Sequence, residues 1–291
     1  MFIYINYSCK KLENKTSQSD RMLTIEEEKT QASYEILHYW DSFDFSDTAR
    51  IHRPDITEQA FVDFINIVPK SDSVTIRNSI KNMLHQAKLQ DPTNSVYSHL
   101  LKLSDHYLYD PNSPFRNEEL YIPVLKYILQ DKSSSEVTKQ QTEFNLDMIL
   151  KNRLGAIASD VTYTTASSSS SNLYQIESPY TILYFYNPDC SACKEATAYL
   201  KTSKKISELL QSRKLSILAI YTDEDLTLWK KHLDEIPYDW IVGYDKGQQI
   251  KKRRLYELRA IPSLYLLDKD KRVLLKDANA QEIQKFLLSV Q

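Results

Sequence analysis

Two cysteines separated by two residues, Cys190 and Cys193, are the residues whose types and spacing most directly indicate chemistry. They lie in the segment TILYFYNPDCSACKEATAYLK, residues 181–201, which predicts a buried strand, a short turn and a helix that begins at the pair. Free backbone N–H groups at a helix N-terminus stabilise a thiolate at the first cysteine. The second cysteine follows one helical turn later, close enough to form a disulfide with the first. The spacing therefore predicts thiol–disulfide exchange.

Other uses of a Cys-x-x-Cys pair stay open at this point. A zinc site needs further ligands, but the one other cysteine, Cys9, lies far away in the N-terminal tail, and His232 is the one histidine of the C-terminal half. We therefore expect no metal site and no cofactor. A peroxidase lacks support, because the Pro–Thr–Cys surroundings of a peroxidatic cysteine are absent. A structural disulfide without turnover is the stronger alternative and would make the protein a binding or scaffold module.

The elements that position the pair alternate between strands and helices from residue 181 onward. Buried strands are expected at 215–221 (LSILAIY), 240–242 and 263–267 (SLYLL), with a turn into a further strand at 273–275. Helices are expected at 226–236, at the basic segment 250–258 and at 283–290. This alternation predicts an α/β domain over residues 153–291, with a central mixed sheet flanked by helices.

Residues 21–152 predict an all-α domain that precedes the α/β domain. One helix is expected at 25–40, and five further stretches carry apolar residues at helical spacing. Those residues are Phe61, Phe64, Ile65 and Val68; Ile76, Ile80, Met83, Leu84 and Ala87; Val96, Leu100, Leu103 and Tyr107; Leu120, Val124, Ile128 and Leu129; and, less clearly, Val137, Phe144 and Met148. Pro123 is expected to kink the fourth helix or to mark a late start. Five histidines lie in this half without metal-type spacing, so its role stays open.

The boundary between the halves is expected near residue 153 and is followed by a serine-rich stretch. Five consecutive serines, 167–171, are typical of a flexible linker. The flanking segments 161–165 and 173–176 also fit two short strands with the serines at the tip. We favour this hairpin over the linker.

Net charge and the N-terminal tail restrict the partners. A net charge of −2 leaves no electrostatic basis for binding nucleic acid, and no apolar run reaches the ~18 residues of a membrane span.

Residues 1–20 begin with a short apolar run that ends at Cys9, followed by a polar Lys- and Ser-rich segment. This resembles the end of a bacterial lipoprotein signal, with Cys9 lipidated and residues 10–20 as a tether. The alternative is a disordered tail with an incidental cysteine.

Two segments carry a resemblance to a known family: FYNPDCSACK, residues 185–194, and AIPS, residues 260–263, before the strand LYLLD. With them the C-terminal half resembles the thioredoxin-like superfamily, and within it the bacterial envelope branch of thiol–disulfide oxidoreductases (TlpA- and ResA-like, related to the peroxiredoxins). The helical half resembles an uncharacterised N-terminal domain through YLYDPNSPFRNEELY, residues 107–121. That second resemblance implies no activity.

The resemblance implies roles for individual residues. Cys190 is expected to attack a substrate disulfide as a thiolate and Cys193 to resolve the mixed disulfide. Pro262 is expected to be a cis-proline beside the pair, with the Ile261 backbone holding the substrate strand. The implied partners are protein disulfides and a membrane thiol electron donor. The implied location is the periplasm or cell envelope, with membrane anchoring through a lipid on Cys9, and we expect a reductase rather than an oxidase.

The site also departs from the family pattern. Asp189 replaces the familiar tryptophan, and its carboxylate disfavours a thiolate at the next residue, an effect that Lys194 partly offsets. Tyr184 stands where the buried acid of the preceding strand is expected. Glu195 is a substitute for the glutamate that envelope members place after the second cysteine, although it is offset by one position. Proton handling at this site is therefore expected to differ from that of a familiar thioredoxin.

Overall fold

The structure, a computed structural model, describes residues 30–290. The chain divides into two compact units between Tyr127 and Ile128. Within the described range, none of the helices combines the length and the apolar character that crossing a membrane requires. The expected tail at 1–20, the proposed lipidation site Cys9 and the start of the first predicted helix lie outside the described residues.

The first unit is helical, as the spacing of its apolar residues predicts. Its helices are α1 (30–38), α2 (Thr57–Ile67), α3 (Ser73–Gln90), α4 (Ser95–Ser104) and α5 (Glu118–Gln130), the last of which spans the division. A π-helical turn, Asp105–Tyr109, continues α4. The predicted apolar stripes bury their side chains, including Phe61, Phe64, Met83, Leu84 and Leu100. Pro123 lies inside α5, so the expectation of a late helix start is wrong.

The second unit begins before the predicted boundary at residue 153. It includes α6 (Glu136–Leu150), which is fixed to the later part of the chain: Lys276 Nζ donates to the carbonyls of Ile149 and Lys151. The boundary near residue 153 stays a prediction. Val137 and Phe144 are exposed on α6, whereas Met148, the third residue of the predicted stripe, is buried together with Ile149.

One seven-stranded mixed sheet forms the centre of the second unit, in the order β2-β1-β5-β4-β3-β6-β7. The strands are β1 (Thr162–Thr164), β2 (Ser170–Asn172), β3 (Tyr180–Tyr186), β4 (Leu215–Tyr221), β5 (Ile241–Tyr244), β6 (Ser263–Asp268) and β7 (Val273–Leu275). The strands β3, β4 and β5 are parallel, whereas β6 is antiparallel to β3. Helices α7 (Ser191–Thr202), α8 (Lys204–Gln211), α9 (Leu226–Lys231), α10 (Gln249–Lys252) and α11 (Ala280–Ser289) complete the unit. The predicted α/β class with a mixed sheet is confirmed.

The serine-rich stretch forms the predicted hairpin, but with a different second strand. β1 pairs with Ser170–Asn172, whereas the expected strand at 173–176 is a 3-10 turn, Leu173–Gln175. The Asn172 side chain accepts from the Gln175 N–H, and the Gln175 side chain accepts from the Asn172 N–H. This reciprocal cap starts a helical turn and buries Leu173.

Side chains of the central strand β3 alternate between the two faces of the sheet, as strand geometry requires. Ile182, Tyr184 and Tyr186 join the core cluster that also contains Cys193 and Leu200 of α7. The opposite face carries a second cluster, with Leu183, Phe185, Ala158, Val161 and Tyr256 among its members. The predicted basic helix at 250–258 is much shorter, because Arg253 ends it and Arg254 takes a left-handed conformation with φ of 52°. β3 and α7 together place the cysteine pair at the end of the parallel strands.

Candidate active site

Cys190 is the N-cap residue of α7, the position that the sequence predicts for the first cysteine. Its backbone is extended, with φ of −80° and ψ of 120°, and its sulfur accepts a hydrogen bond from the Cys193 N–H at 3.2 Å. The turn before it is fixed by Asn187, whose side-chain oxygen accepts from the Asp189 N–H and whose carbonyl accepts from the Cys190 N–H. Backbone N–H groups and the helix dipole at this position stabilise negative charge on the sulfur. Cys190 is half-buried and therefore accessible from solvent.

Cys193 lies one turn further along α7 and faces the core. Its relative exposure is 1%, and burial, reinforced by the hydrogen bond with Cys190, raises the pKa of its thiol to about 12. Both cysteines are free thiols. The pair is thus asymmetric: one sulfur is accessible and supported by backbone donors, and the other is buried and held as a neutral thiol.

Ile261 and Pro262 lie beside Cys190, although they are far from it in the sequence. The Cys190 thiol donates to the Ile261 carbonyl at 3.3 Å across 71 positions, and the Ile261–Pro262 peptide bond is cis, as expected. Antiparallel pairing of β3 with β6 brings the two together, since Phe185 is opposite Ser263. A backbone carbonyl beside the accessible sulfur is a suitable hydrogen-bond acceptor for an extended peptide chain.

Tyr184 occupies the position at which the resemblance implies a buried acid. Its hydroxyl donates to the Cys193 carbonyl at 2.8 Å and lies 3.0 Å from Thr197 Oγ1. Burial raises the pKa of Tyr184 far above its usual range, so the side chain stays protonated. Tyr184 therefore fixes the first turn of α7 to β3 and does not serve as a base at neutral pH.

Aromatic rings that the sequence reasoning missed extend from Tyr184 beneath the site. Tyr184 stacks on Tyr186 at 5.4 Å between ring centroids, and the Trp229 indole N–H donates to the Tyr186 hydroxyl at 3.0 Å. Burial raises the pKa of Tyr186 to about 12. The abundance of tyrosine on β3 was the one sequence signal for this cluster, but pairing with Trp229 depends on the packing of α9. These rings exclude water from the floor of the site.

The residues expected to tune the thiolate are all exposed. Asp189 lies in the turn before Cys190, and Lys194 and Glu195 lie on the outer side of α7. Among residues 30–290, none of their side chains makes a hydrogen bond to either sulfur. Any influence of their charges on the sulfurs is therefore exerted through solvent, which screens it.

A cleft of about 360 Å³ opens beside α7, next to the buried thiol. Its walls include Cys193, Tyr186, Lys201, His232 and Glu235. The His232 Nδ1 atom is 2.6 Å from Glu235 Oε1, and the Lys201 Nζ atom donates to the Glu235 carbonyl. In the sequence, His232 counted only toward a zinc site, as the one histidine of the C-terminal half, and was not assigned to the site of the cysteine pair. Its three-residue spacing from Glu235 was the available signal. Within the described residues, no group of three or more His, Cys, Asp or Glu side chains is arranged to hold a metal ion.

Two family models match the chain. A model described as thioredoxin-like matches residues 178–273, and a model described as a domain of unknown function (DUF5106) matches residues 15–152. The first therefore covers both cysteines and Pro262.

Solved structures and a curated protein are also similar. A thioredoxin-like protein from Bacteroides caccae is 44% identical with a TM-score of 0.85, over 91% of this chain and 94% of that chain. The C-terminal domain of an uncharacterized protein from Bacteroides fragilis is 48% identical with a TM-score of 0.46, over 47% of this chain and 98% of that chain. Nucleoredoxin from Xenopus laevis is 25% identical over 119 residues, which are 40% of this chain and 28% of that protein's length.

Proposed function

Because the chain belongs to the thioredoxin-like family, we propose that it is a thiol–disulfide oxidoreductase with Cys190 as nucleophile and Cys193 as resolving thiol. The asymmetry of the two thiols is the observation that carries this proposal. Cys190 is accessible and accepts a backbone N–H bond, whereas Cys193 is buried with its pKa raised to about 12. Since the thiolate is the attacking species, the first step belongs to Cys190.

The reaction follows from this arrangement. The Cys190 thiolate attacks one sulfur of a substrate disulfide, the substrate S–S bond breaks, and a mixed disulfide forms between Cys190 and the substrate. Cys193 then loses its proton and attacks the Cys190 sulfur. The bond from Cys190 to the substrate breaks, the substrate leaves as a thiolate, and a Cys190–Cys193 disulfide remains. Two electrons have passed from the protein to the substrate.

Ile261 and Pro262 are the substrate-binding residues of this proposal. The Ile261 carbonyl already accepts a hydrogen bond from the Cys190 thiol. Once Cys190 has lost its proton, that carbonyl is free to accept from a backbone N–H of a bound substrate. An extended protein segment beside Pro262 would thus present its disulfide to the nucleophile.

Direction, partners and location are further parts of the proposal. We assign reduction of protein disulfides, with electrons returned by a membrane thiol donor. We place the protein in the periplasm or cell envelope, attached through a lipid on Cys9. Asp189, Lys194 and Glu195 adjust the stability of the Cys190 thiolate through their charges. These assignments follow the resemblance to the envelope branch.

Trapping of mixed disulfides tests the roles of the two thiols. A Cys193→Ala variant should accumulate adducts through Cys190, because the resolving step is removed. Cys190→Ala is the matched control, since it keeps a cysteine in the motif but removes the nucleophile, and it should accumulate none. If both variants trap the same proteins, or neither traps any, the assignment is wrong. In the second case a scaffold protein with a structural disulfide is the better description.

The reduction potential of the pair tests the direction. A value near that of thioredoxin, about −270 mV, agrees with a reductase, whereas a value near about −120 mV is that of a strong oxidant.

Mass spectrometry of the mature N-terminus tests the lipid. An unmodified Cys9 that is still preceded by Met1 to Ser8 would exclude anchoring at this residue.

A further inference from the structure

The resolving step requires Cys193 to lose a proton that its surroundings hold firmly. The thiol is almost fully buried, and the position on β3 expected to carry an acid is Tyr184. The Tyr184 hydroxyl already donates to the Cys193 carbonyl. Another group must therefore accept the proton of Cys193.

The titratable groups around Cys193 come from three elements. β3 supplies Tyr184 and Tyr186, which remain protonated because burial raises the pKa of each phenol. α7 supplies Cys190, Lys194 and Lys201, of which the first is consumed in the mixed disulfide and the others are cationic lysines at the rim of the cleft. The segment after α9 supplies His232 and Glu235, which line the same cleft. Of these groups, imidazole is the one that accepts and releases protons readily near neutral pH.

The contact between His232 and Glu235 sets the tautomer of the imidazole ring. A carboxylate can only accept a hydrogen bond, so the 2.6 Å contact makes His232 Nδ1 the donor. That hydrogen bond is the leading reason that the pKa of Glu235 is lowered, and the carboxylate therefore stays charged. A proton on Nδ1 leaves Nε2 as the acceptor in the neutral ring.

We propose that His232, oriented by Glu235, accepts the proton of Cys193 during resolution, through water in the cleft that both side chains line. This inference rests on the proposed function and supplies its missing base. A cleft of about 360 Å³ exceeds the roughly 30 Å³ that one liquid water occupies, so a water chain fits between the groups.

The proton and electron pair balance without another reactant. The Cys193 S–H proton passes through water to His232 Nε2, and the sulfur keeps the electron pair. The resulting thiolate forms the bond to Cys190 Sγ while the bond from Cys190 to the substrate sulfur breaks. The substrate thiolate takes a proton from solvent, and the imidazolium returns its proton to solvent before the next cycle.

Single-turnover kinetics with a disulfide peptide test this role. Formation and decay of the mixed disulfide are followed separately by acid quenching and mass spectrometry across a range of pH. His232→Gln should slow decay by about 100-fold, as expected for the loss of a general base, and should leave formation within about twofold. The decay rate of the unaltered protein should reach a plateau and fall on the acid side of it, which defines the acid limb. H232Q should show no plateau, because without the base its decay follows the Cys193 thiolate population, which keeps rising with pH.

Two further variants distinguish a proton acceptor from a structural or charge effect. Glu235→Gln keeps a side chain that can accept from His232 but removes the charge, so the acid limb of decay should move in pH. Lys201→Gln removes a positive charge from the same cleft but keeps His232, so the acid limb of decay should be retained and should move in the direction opposite to that in E235Q. If H232Q does not fold, the pH shift of the acid limb in E235Q still tests whether His232 accepts the proton of Cys193.

The outcomes separate this inference from the proposed function. Decay in H232Q at the rate and pH profile of the unaltered protein, or an unmoved limb in E235Q, would overturn the role of His232 while leaving thiol exchange intact. Failure of the unaltered protein to form a mixed disulfide at all would overturn the proposed function itself.

Discussion

Burial of Cys193 predicts a large difference in the reactivity of the two thiols toward alkylation. Three chains test it, each carrying Cys9→Ser so that the N-terminal cysteine does not react. The first also carries Cys190→Ala, which leaves Cys193 as its one thiol, and the second carries Cys193→Ala, which leaves Cys190. The third is the C190A chain unfolded in guanidinium.

The magnitude follows from the thiolate population. With a pKa of about 12, about 1 in 10⁵ of the Cys193 thiols is ionised at pH 7. An unfolded cysteine with a pKa of about 8.5 is about 3% ionised, which is about 3,000-fold more. C190A removes the sulfur contact that contributes to the shift, but burial, its leading cause, remains. We therefore expect folded C190A to react at least about 100-fold more slowly than the same chain unfolded.

Pseudo-first-order iodoacetamide labelling, followed by intact mass, measures these rates. The C193A chain should also react much faster than folded C190A, because its remaining sulfur is half-exposed at the start of α7. Circular dichroism must first show that both variants are folded. Labelling of folded C190A within about threefold of its unfolded rate would refute the argument from burial.

Three substitutions test other parts of the structure by chemical denaturation. Tyr184→Phe should lower the free energy of unfolding by about 1–2 kcal/mol, because its hydrogen bonds with the Cys193 carbonyl and with Thr197 of α7 are lost; unchanged stability would contradict this. Asp91→Asn should lower the free energy of unfolding by about 1–2 kcal/mol at pH 7. Burial alone would raise the pKa of Asp91, but hydrogen bonds from Thr93 and Val96 lower it. The cost should therefore begin to shrink below the unfolded value of about 3.9 and disappear as the pH falls through the lowered pKa of the folded state; a cost that persists below both values would have another cause. Gly243→Ala should lower the free energy of unfolding by about 1–3 kcal/mol, because the added Cβ would lie 2.7 Å from Tyr163 Cδ2. Unchanged stability would mean that the Tyr163 ring moves freely.

Elements with strong local patterns were predictable. The run LSILAIY coincides with β4, and the helical spacing from Phe61 to Val68 predicted α2. The resemblance to the thioredoxin-like superfamily and the fold class are confirmed, and the two short motifs around Cys190 and Pro262 were enough to predict them.

Patterns that depend on a neighbour were less reliable. The spacing of Val137 and Phe144 predicts that both are buried, but both are exposed on α6. Spacing alone does not show which face of a helix another element covers. The strand predicted at 173–176 is a 3-10 turn, because Asn172 and Gln175 cap it reciprocally. The basic helix predicted at 250–258 ends early, and the next residue but one after it, Arg254, is left-handed. In each case a local backbone preference exceeded the periodic signal.

The sequence by itself determined that Cys190 and Cys193 lie together, because two cysteines one helical turn apart are neighbours whenever that helix forms. It also determined the alternation of strands and helices that supports them. The tertiary structure decided what surrounds the sulfurs. Pairing of β3 with β6 brings Ile261 to Cys190 from 71 positions away, and the packing of the segment after α9 brings His232 to the cleft beside Cys193. These contacts arise from the burial of apolar faces distant in the chain, which a local pattern does not encode.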